Sequence, residues 1–528
     1  MEGNLNRRSF VKGAALSAAG LIAGGALAAC SPAAGTSESK SDSAQTTGAN
    51  NAEQRWSFEI APDPIGDDLV TETVETDVVV VGAGGAGLAA AIEAANAGAS
   101  VLLLEKASAV GGDSALSDGI LGGWGTKLAK EQGIDADADD VYRWFTRHPE
   151  WYGPKDPAIA RVLADKSGET IDWLQEMGVP FLKEVGPLFG YTELPVIHHV
   201  DGKGAEMVRV LAETAEKAGV GTLTDTSATK LVADADGRVI GVEAVQKKNP
   251  VRIKANKGVV MATGSFAGST AMIGQMNAEC ANLLPGSNPG ATGDGLVMAM
   301  ELGAYTTRVS DMPLMSSLAG LESGSIVNIN YGMRLPGLWL DAEGQRFFDE
   351  STPYENPNGH RAIVRKQNEQ GSPVIALLGT TPELDAMQAT YPLKWATADT
   401  VEEVAGMVGL DGAKAKATVE RYNGFCEAGK DEDCGTPADK MVPMTGPFYA
   451  APIAVSTSVT VGGFKTNEQA QALRLALASS GSLTEPIPGL YAAGVVCEWN
   501  CAAGATVLSA MTLGRIAGRS AAAEASAA

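Results

Sequence analysis

The clearest hydrophobic pattern in this chain is the run of four valines that follows Asp77, which predicts a strand buried on both faces. The glycine-rich stretch Gly82–Gly87 comes next, and the Ala-rich segment 88–97 predicts a helix. A second apolar run, 100–104, then ends at Glu105. The order of strand, glycine turn, helix, strand and acid predicts a βαβ unit.

The glycine turn of this unit has the spacing GxGxxG, with Gly82, Gly84 and Gly87 at the three fixed positions. Such glycines permit a tight turn and let the backbone approach a pyrophosphate at the helix N-terminus. Glu105 stands where an acid accepts hydrogen bonds from a ribose diol. The unit therefore predicts dinucleotide binding.

Further glycine turns favour FAD over NAD as the dinucleotide. Gly111 and Gly112 with the acid Asp113 and the hydroxyl of Ser114 suit a second approach to the pyrophosphate and ribityl chain. Residues 489–494 read as another strand that enters a glycine turn, ending at Gly494. Gly504 then opens a helix that suits the negative charge of a reduced flavin.

The middle of the chain lacks this alternation of strands and glycine turns, and contains Pro-rich loops and short strands. We therefore predict an α/β fold, in which a Rossmann-like two-piece FAD-binding domain carries an inserted α+β capping domain. The expected boundaries are 56–305 for the first piece of the FAD-binding domain, 306–445 for the capping (substrate) domain and 446–528 for the second piece.

The first residues of the chain predict a targeting segment rather than part of the fold. The pair Arg7–Arg8 precedes a weakly apolar stretch, Gly13–Ala29, that ends at Cys30. We expect a twin-arginine and lipoprotein signal over 1–30, with Cys30 lipid-anchored on the outer face of the cytoplasmic membrane. A short membrane-spanning anchor is the alternative. Residues 31–55 are small and polar, which predicts a flexible linker.

Composition and charge limit the classes of ligand and partner that this protein can bind. The net charge of −23 argues against nucleic-acid binding, which needs clustered Lys and Arg. Four histidines and the absence of CxxC or CxxCH pairs indicate neither a metal site nor haem. Electrons for redox chemistry must therefore come from a separate membrane or haem/flavin electron-transfer partner. Cys426 and Cys434 either pair or remain free thiols.

Beyond these patterns, the chain resembles the fumarate reductase/succinate dehydrogenase flavoprotein family, especially its soluble branch of fumarate and urocanate reductases and ketosteroid dehydrogenases. The matching segments run in family order along the chain: Val79–Gly87, Glu105–Lys106, Gly111–Ser114, Thr170–Leu174, Ala262–Gly264, Gly293–Gly295, Gly344–Phe347, Gly462–Gly463, Leu490–Gly494 and Ala510–Gly518.

The resemblance implies an active site between the two domains, and it implies a set of cofactor contacts. These candidates are Gly82, Gly84, Gly87, Glu105, Lys106, Gly112, Asp113, Ser114, Gly119, Ala228, Asp294 and Gly494, with Gly504 near the flavin. This chain departs from the family at two positions. Asp113 stands where the family often has Asn, and Val495 stands where the reductases have a Glu.

The substrate positions implied by the resemblance are unlike those of fumarate reductases, which clamp a dicarboxylate with His and Arg. The two His positions become Met312 and Val459, and an Arg position becomes Cys501. The proton-donor Arg falls near Tyr354. No His fills any of these positions, so the sequence argues against fumarate as the substrate.

The same positions resemble those of ketosteroid dehydrogenases. The resemblance implies Tyr354 as the acid/base and the Gly504 N–H as a donor to the substrate carbonyl. Asn500 is a second candidate donor, and Arg361 is an alternative proton donor in a loop that enters the site. The alternative for Tyr354 is a tyrosine that only packs in the capping domain.

Three functions fit this sequence. The first is an exported FAD-dependent reductase of a small-molecule, carbonyl-activated C=C bond: an enone, a steroid-like compound or an aryl acrylate. The second is a 3-ketosteroid-type desaturating dehydrogenase, and the third is a non-catalytic flavin-binding lipoprotein.

Overall fold

The computed structural model describes Phe58, Ile60, Leu384 and residues 62–147, 153–188, 192–319, 326–328, 337–351, 357–380, 395–476, 481–502 and 504–526. The predicted signal (1–30), the linker (31–55) and Tyr354 lie outside these residues.

The strands and helices are numbered in chain order. The strands are β1 (Glu72–Val81), β2 (Val101–Leu104), β3 (Ile120–Gly122), β4 (Gly186–Leu188), β5 (Thr192–His199), β6 (Gly221–Leu223), β7 (Thr226–Ala233), β8 (Val239–Gln246), β9 (Asn249–Met261), β10 (Leu284–Pro285), β11 (Thr306–Thr307), β12 (Met315–Ala319), β13 (Ile326–Asn328), β14 (Gly337–Leu340), β15 (Ile375–Gly379), β16 (Ala396–Ala398), β17 (Phe448–Thr457), β18 (Gly463–Phe464), β19 (Gln471–Leu475) and β20 (Thr484–Ala492). The helices are α1 (Gly85–Asn96), α2 (Gly112–Leu116), α3 (Lys127–Glu131), α4 (Ala138–Thr146), α5 (Pro157–Glu176), α6 (Lys203–Lys217), α7 (Thr270–Met276), α8 (Asp294–Glu301), α9 (Pro357–Gln370), α10 (Val401–Met407), α11 (Gly412–Ala428) and α12 (Thr506–Ala523).

The first sheet contains the predicted βαβ unit. Its strand order is β19-β20-β9-β1-β2-β6, and β8 and β7 extend it from β9. The pairs β20–β9, β9–β1, β1–β2 and β2–β6 are parallel. Val78 to Val80 are fully buried, as expected for a central parallel strand. Because β20 comes from the far end of the chain, the two sequence pieces share one sheet, and the predicted α/β class is confirmed.

Helix α12 covers this sheet by packing very closely on α1. A methyl group on Gly514 would lie 2.3 Å from the Ala86 carbonyl oxygen, and one on Gly518 would lie 2.1 Å from that of Ala90. The glycines of α12 and the alanines of α1 therefore let the two backbones touch. Beside this contact, Arg515 donates a buried hydrogen bond of 2.9 Å to Glu93.

A second sheet of seven strands corresponds to the capping region, with the order β13-β12-β17-β15-β14; β10 and β16 also pair with β17. All of these pairs are antiparallel except β10–β17. The central strand β17 lies beyond the predicted boundary after residue 445. That boundary would cut one sheet in two. It follows the glycine pattern of the sequence, whereas the strands that pair with β17 are β10, β12, β15 and β16 of this sheet.

The capping region holds a buried charge cluster around Arg346. The guanidinium is 2% exposed, lies 2.6 Å from Glu350 and 3.0 Å from Asp431, and covers the ring of Tyr422. Burial opposes the charge on Asp431, but hydrogen bonds from Arg346 and Thr436 outweigh it and lower the pKa of Asp431. The stabilisation from Asp431 is thus complete above about pH 4 and is lost as the pH falls further.

Replacing Arg346 with methionine should lower the free energy of unfolding of the capping region by about 3–5 kcal/mol, since two buried carboxylates lose their partner. Thermal unfolding at pH 7 measures this loss. The control is Arg421→Met, because Arg421 makes two 2.7 Å bonds to Asp433 but its side chain is 59% exposed. That variant should lose at most about 1 kcal/mol. Equal losses in both variants would contradict the assignment.

Two kinds of feature are absent from the described residues. None of the helices there has the length and apolar character needed to cross a membrane. That part of the chain also has no group of three His, Cys, Asp or Glu side chains arranged to hold a metal ion. Cys426 and Cys434 are free thiols in the structure.

Candidate cofactor and substrate site

A cleft opens where the parallel strands of the first sheet end, which is where α/β sheets bind ligands. Strands β1, β2, β9 and β20 end at Val81, Leu104, Met261 and Ala492, and a lining residue follows within two residues of each end. The cleft has about 840 Å³ of empty space. Its lining is Val81, Gly82, Gly84, Gly85, Ala86, Leu104, Glu105, Lys106, Gly112, Asp113, Ser114, Thr226, Ala228, Ala262, Thr263, Gly264, Asn288, Gly290, Asp294, Met298, Gly494, Val495 and Ala510.

Glu105, the predicted ribose acceptor, is fixed by the backbone on both sides. One carboxylate oxygen accepts a 2.9 Å hydrogen bond from the Ala83 N–H, and the other accepts a 2.8 Å bond from the Ala107 N–H. Each oxygen has a further lone pair, so the carboxylate remains able to accept from a diol. Its place at the end of β2 therefore suits the predicted contact.

The glycines of the first turn have different tasks. A methyl group on Gly87 would lie 1.8 Å from the Gly82 carbonyl oxygen, so Gly87 permits the close packing of helix against turn and does not itself line the cleft. A methyl group on Gly84 would meet no atom closer than 3.7 Å, so this position leaves room for a ligand. Ser114 accepts a 3.0 Å hydrogen bond from the Gly85 N–H and joins the second turn to the first.

Asp113, which departs from the family pattern, has a task that the structure makes clear. Its two carboxylate oxygens accept hydrogen bonds of 2.8 Å from the Ser287 hydroxyl and 2.7 Å from the Asn288 N–H. Asparagine has only one side-chain oxygen for these two donors. Asp113 thus fixes the loop at 287–288, which forms one wall of the cleft.

Lys106 and Asp294 form an ion pair across the cleft. The Lys106 ammonium lies 2.7 Å from Asp294 and 2.5 Å from the Thr292 hydroxyl, and that hydroxyl donates a 2.8 Å bond to Asp294. The pair brings the end of β2 to the start of α8. Both residues were predicted as cofactor contacts from different parts of the sequence.

The residues of this cleft fit FAD. The hydroxyl oxygen of Thr263 is buried, lies in the cleft wall and has no hydrogen-bond partner, which a polar ligand atom would supply. Gly264 has a φ of +77° with no atom within 4 Å of an added methyl group. The unpartnered hydroxyl, the open glycine positions and the fixed acid match a ligand with phosphate and ribose groups.

Besides Gly87, a second predicted cofactor residue does not line the cleft. Gly119 is not among the described residues that line the cleft, and a methyl group on it would lie 2.8 Å from the Lys203 backbone. Its φ of +67° and this close approach explain a glycine there without a cofactor. Ala228 and Gly494, by contrast, do line the cleft.

The predicted catalytic residues that the structure describes lie in two separate regions. Asn500 is buried, accepts a 2.8 Å hydrogen bond from the Asp156 N–H, and donates a 3.2 Å bond to the Glu498 carbonyl, so one amide hydrogen remains. Gly504, with φ +85°, precedes α12. Arg361 is not in a loop as predicted, because α9 already begins at Pro357, and it lies near Cys280. Tyr354 lies outside the described residues.

Backbone hydrogen bonds connect the segments that carry the three substrate positions implied by the family resemblance. The Val461 N–H donates a 3.0 Å bond to the Asp311 carbonyl, and the Trp499 N–H donates a 2.8 Å bond to the Val461 carbonyl. These bonds bring the segments of Met312, Val459 and Cys501 side by side. Met312 and Cys501 are buried, and burial raises the pKa of the Cys501 thiol, so the thiol is neutral.

Sequence reasoning missed Lys155, which reaches the same place from the start of α5. Its ammonium nitrogen is buried and stands 4.6 Å from the centre of the Trp499 ring. The only signal in the sequence was a lysine directly before the helix cap Asp156, and many exposed lysines occupy such positions.

With this geometry established, comparison with known proteins decides the family. The family model described as FAD binding domain matches residues 77–507. The chain belongs to this family. Digoxin reductase from Eggerthella lenta is 30% identical to it over 99% of this chain and 98% of that protein.

Two solved structures resemble the flavoprotein. The open conformation of a flavocytochrome c3 fumarate reductase has a TM-score of 0.72 and 27% identity, covering 89% of this chain and 82% of its own. A 3-ketosteroid-Δ4-(5α)-dehydrogenase from Rhodococcus jostii RHA1 has a TM-score of 0.67 and 28% identity, covering 87% and 100%. The predicted resemblance is confirmed. The flavoprotein is an FAD-dependent, fumarate reductase-like oxidoreductase that acts on C=C bonds.

Proposed function

We propose that this flavoprotein is exported and reduces a C=C bond activated by a carbonyl group in an enone, a steroid-like compound or an aryl acrylate. The observation that carries the proposal is the chemical character of the side chains at the three substrate positions that the resemblance implies. Met312, Val459 and Cys501 offer apolar or neutral side chains, which suit an apolar substrate body better than a second carboxylate. The full-length similarity to a digoxin reductase supports the same substrate class.

The proposed reaction needs a hydrogen-bond donor at the carbonyl oxygen of the substrate and a proton donor for its α-carbon. Bound, reduced FAD supplies a hydride to the β-carbon of the substrate. As that bond forms, the π electrons move onto the carbonyl oxygen, where the Gly504 N–H and the remaining Asn500 amide hydrogen stabilise the negative charge. The Tyr354 phenol, protonated at neutral pH, then gives its proton to the α-carbon.

The setting of the enzyme is also part of the proposal. The arginine pair Arg7–Arg8 and the segment ending at Cys30 support export by the twin-arginine route and a lipid anchor in the cell envelope. Electrons would come from a membrane or haem/flavin partner, since the chain encodes no CxxCH haem site.

Desaturation is the second candidate, favoured by the structural similarity to a 3-ketosteroid-Δ4-(5α)-dehydrogenase. In that direction Tyr354, as phenolate, would remove the α-proton, and oxidised FAD, when bound, would accept the hydride from the β-carbon. The same residues serve both directions, so the direction depends on the potential of the electron partner.

An anaerobic assay tests these proposals. Oxidation of reduced methyl viologen is followed with 4-androstene-3,17-dione, digoxin, cinnamate or fumarate. We expect turnover with at least one of the first three and none with fumarate. Turnover with fumarate alone, or with no compound while FAD is bound, would contradict the proposed function. Dye reduction by a saturated 3-ketosteroid, without reductase activity, would instead establish desaturation.

A further inference from the structure

Lys155 carries a buried charge that no other group in the described structure satisfies. Its ammonium nitrogen has less than 1 Å² of exposed surface and no hydrogen-bond partner. It stands over the Trp499 ring at 4.6 Å, a contact that replaces only part of the lost hydration. A buried, unpaired ammonium costs folding free energy, so packing gives no reason for a lysine here.

Glu498, Arg308, Lys465 and Asp156, which lie around Lys155, are bonded to one another. Glu498 accepts hydrogen bonds of 2.7 Å from the Thr307 hydroxyl and 3.0 Å from Arg308, and lies 3.5 Å from Lys465. Lys465 also lies 3.1 Å from Asp156. Asp311 is the other carboxylate near Lys155, and it forms no ion pair with Lys155 within 4 Å.

Burial and the nearby Arg308 lower the pKa of Lys155 to about 8, against the weaker opposite influence of Cys501, Glu498 and Asp311. Lys155 is therefore mostly charged at neutral pH and loses its charge just above it. A ligand that binds this ammonium must therefore carry a negative charge or a strong hydrogen-bond acceptor oxygen.

The backbone fixes Lys155 at the substrate positions. The next residue, Asp156, caps α5, gives its N–H to Asn500 and binds Lys465 with its side chain. Trp499, under the ammonium, lies four residues after Val495, and Ala510 follows in α12; both Val495 and Ala510 line the cofactor cleft. Lys155 therefore stands beside the segment that runs from the cleft wall at Val495 through Trp499 to the candidate donor Asn500.

We propose that the Lys155 ammonium binds the activating oxygen of the substrate, a ketone oxygen or a carboxylate oxygen, and stabilises the negative charge that hydride addition places there. Lys155 transfers no proton in this role, so the balance of the reaction is unchanged. The inference rests on the proposed function, and it adds a charged group to the two neutral donors, Gly504 and Asn500.

The test compares Lys155→Met, Lys155→Arg and the control Lys416→Met in the anaerobic assay. Lys416 is an exposed lysine paired with Glu402 in the capping region. We expect Lys155→Met to lower kcat/KM by roughly 100-fold, the usual loss for one donor to a developing oxyanion. It should retain FAD and a melting temperature at least as high as the wild type, because a buried charge is removed. Lys416→Met should match the wild type.

The pH profile separates binding from a structural role. For the wild type, kcat/KM should fall as the pH rises through about 8, where Lys155 loses its charge. Lys155→Arg keeps its charge, so the limb near pH 8 should disappear. An unchanged limb near 8 in the arginine variant, or wild-type kcat/KM in the methionine variant, would overturn the assignment.

A binding measurement keeps this test separate from the proposed function. Cinnamate and 4-androstene-3,17-dione are titrated into the oxidised flavoprotein, and the change in flavin absorbance gives Kd. Weaker binding of both in Lys155→Met supports the assignment even if no compound turns over. If only cinnamate binds more weakly, Lys155 binds a carboxylate oxygen. If only the steroid binds more weakly, Lys155 binds a ketone oxygen. Unchanged Kd for both would overturn the inference.

Discussion

Gly87→Ala should leave the flavoprotein unable to hold FAD. The added methyl group would lie 1.8 Å from the Gly82 carbonyl oxygen and 3.0 Å from its carbon. Both obstacles are backbone atoms, so no side-chain rotation relieves the overlap. We expect the substitution to destabilise the turn that should bind the pyrophosphate by about 3 kcal/mol or more. Absorbance of the purified protein at the flavin band measures bound FAD.

The matched control for this change is Gly424→Ala. Gly424 also lies within a helix, α11, but a methyl group there would meet no atom within 4 Å. Alanine favours helix by up to about 1 kcal/mol over glycine, so this variant should keep FAD and unfold at the same or a higher temperature. Normal flavin content in Gly87→Ala would show that the turn adopts another path.

Tyr354→Phe should have the second large effect, a fall in turnover of at least about 100-fold with FAD still bound. A positioned general acid contributes roughly 10²–10⁴-fold, and phenylalanine keeps the ring while it removes the proton. The measurement is kcat for the best substrate of the anaerobic assay, with flavin content as the check on folding. The effect should fall on kcat more than on KM.

Another tyrosine of the capping region supplies the comparison for Tyr354. Tyr422 lies under the Arg346 guanidinium, and its hydroxyl accepts a bond from the Val442 N–H, so it belongs to the cluster that holds this region together. Tyr422→Phe should lower the melting temperature while kcat stays at the wild-type value. If Tyr354→Phe behaves in the same way, Tyr354 only packs, and the proton has another source.

The parts of the molecule that the sequence could predict are those set by neighbours in the chain. The valines to Val81, the turn at Gly82 and the acid Glu105 lie within one βαβ unit, so local spacing was enough to place them. Strand β1 is nevertheless longer than the apolar run, because residues from Glu72 onward pair with β9 although all of residues 72–76 except Val74 are polar.

The features that escaped prediction depend on distant contacts. The role of Asp113 follows from a loop about 175 residues later, which no local pattern reveals. Strand β17 looks like the return to the FAD-binding domain in sequence, yet it pairs within the capping sheet. Lys155 becomes unusual only when Trp499 and Asn500 bury it, since an isolated lysine before a helix is ordinarily solvated.

The contact between α12 and α1 also determines how much of the chain must be synthesised before this protein can complete its fold. Arg515 and Glu93 meet across 422 residues of chain, and β20 enters the sheet beside β9 from the same late segment. A ribosome must therefore finish almost the whole chain before the sheet and its cleft are complete. Loop closure over such a distance is slow, so the strands that are made first keep exposed edges until β20 pairs with β9. FAD can thus enter its full site only after α12 has been synthesised and has packed on α1, so cofactor loading depends on this helix.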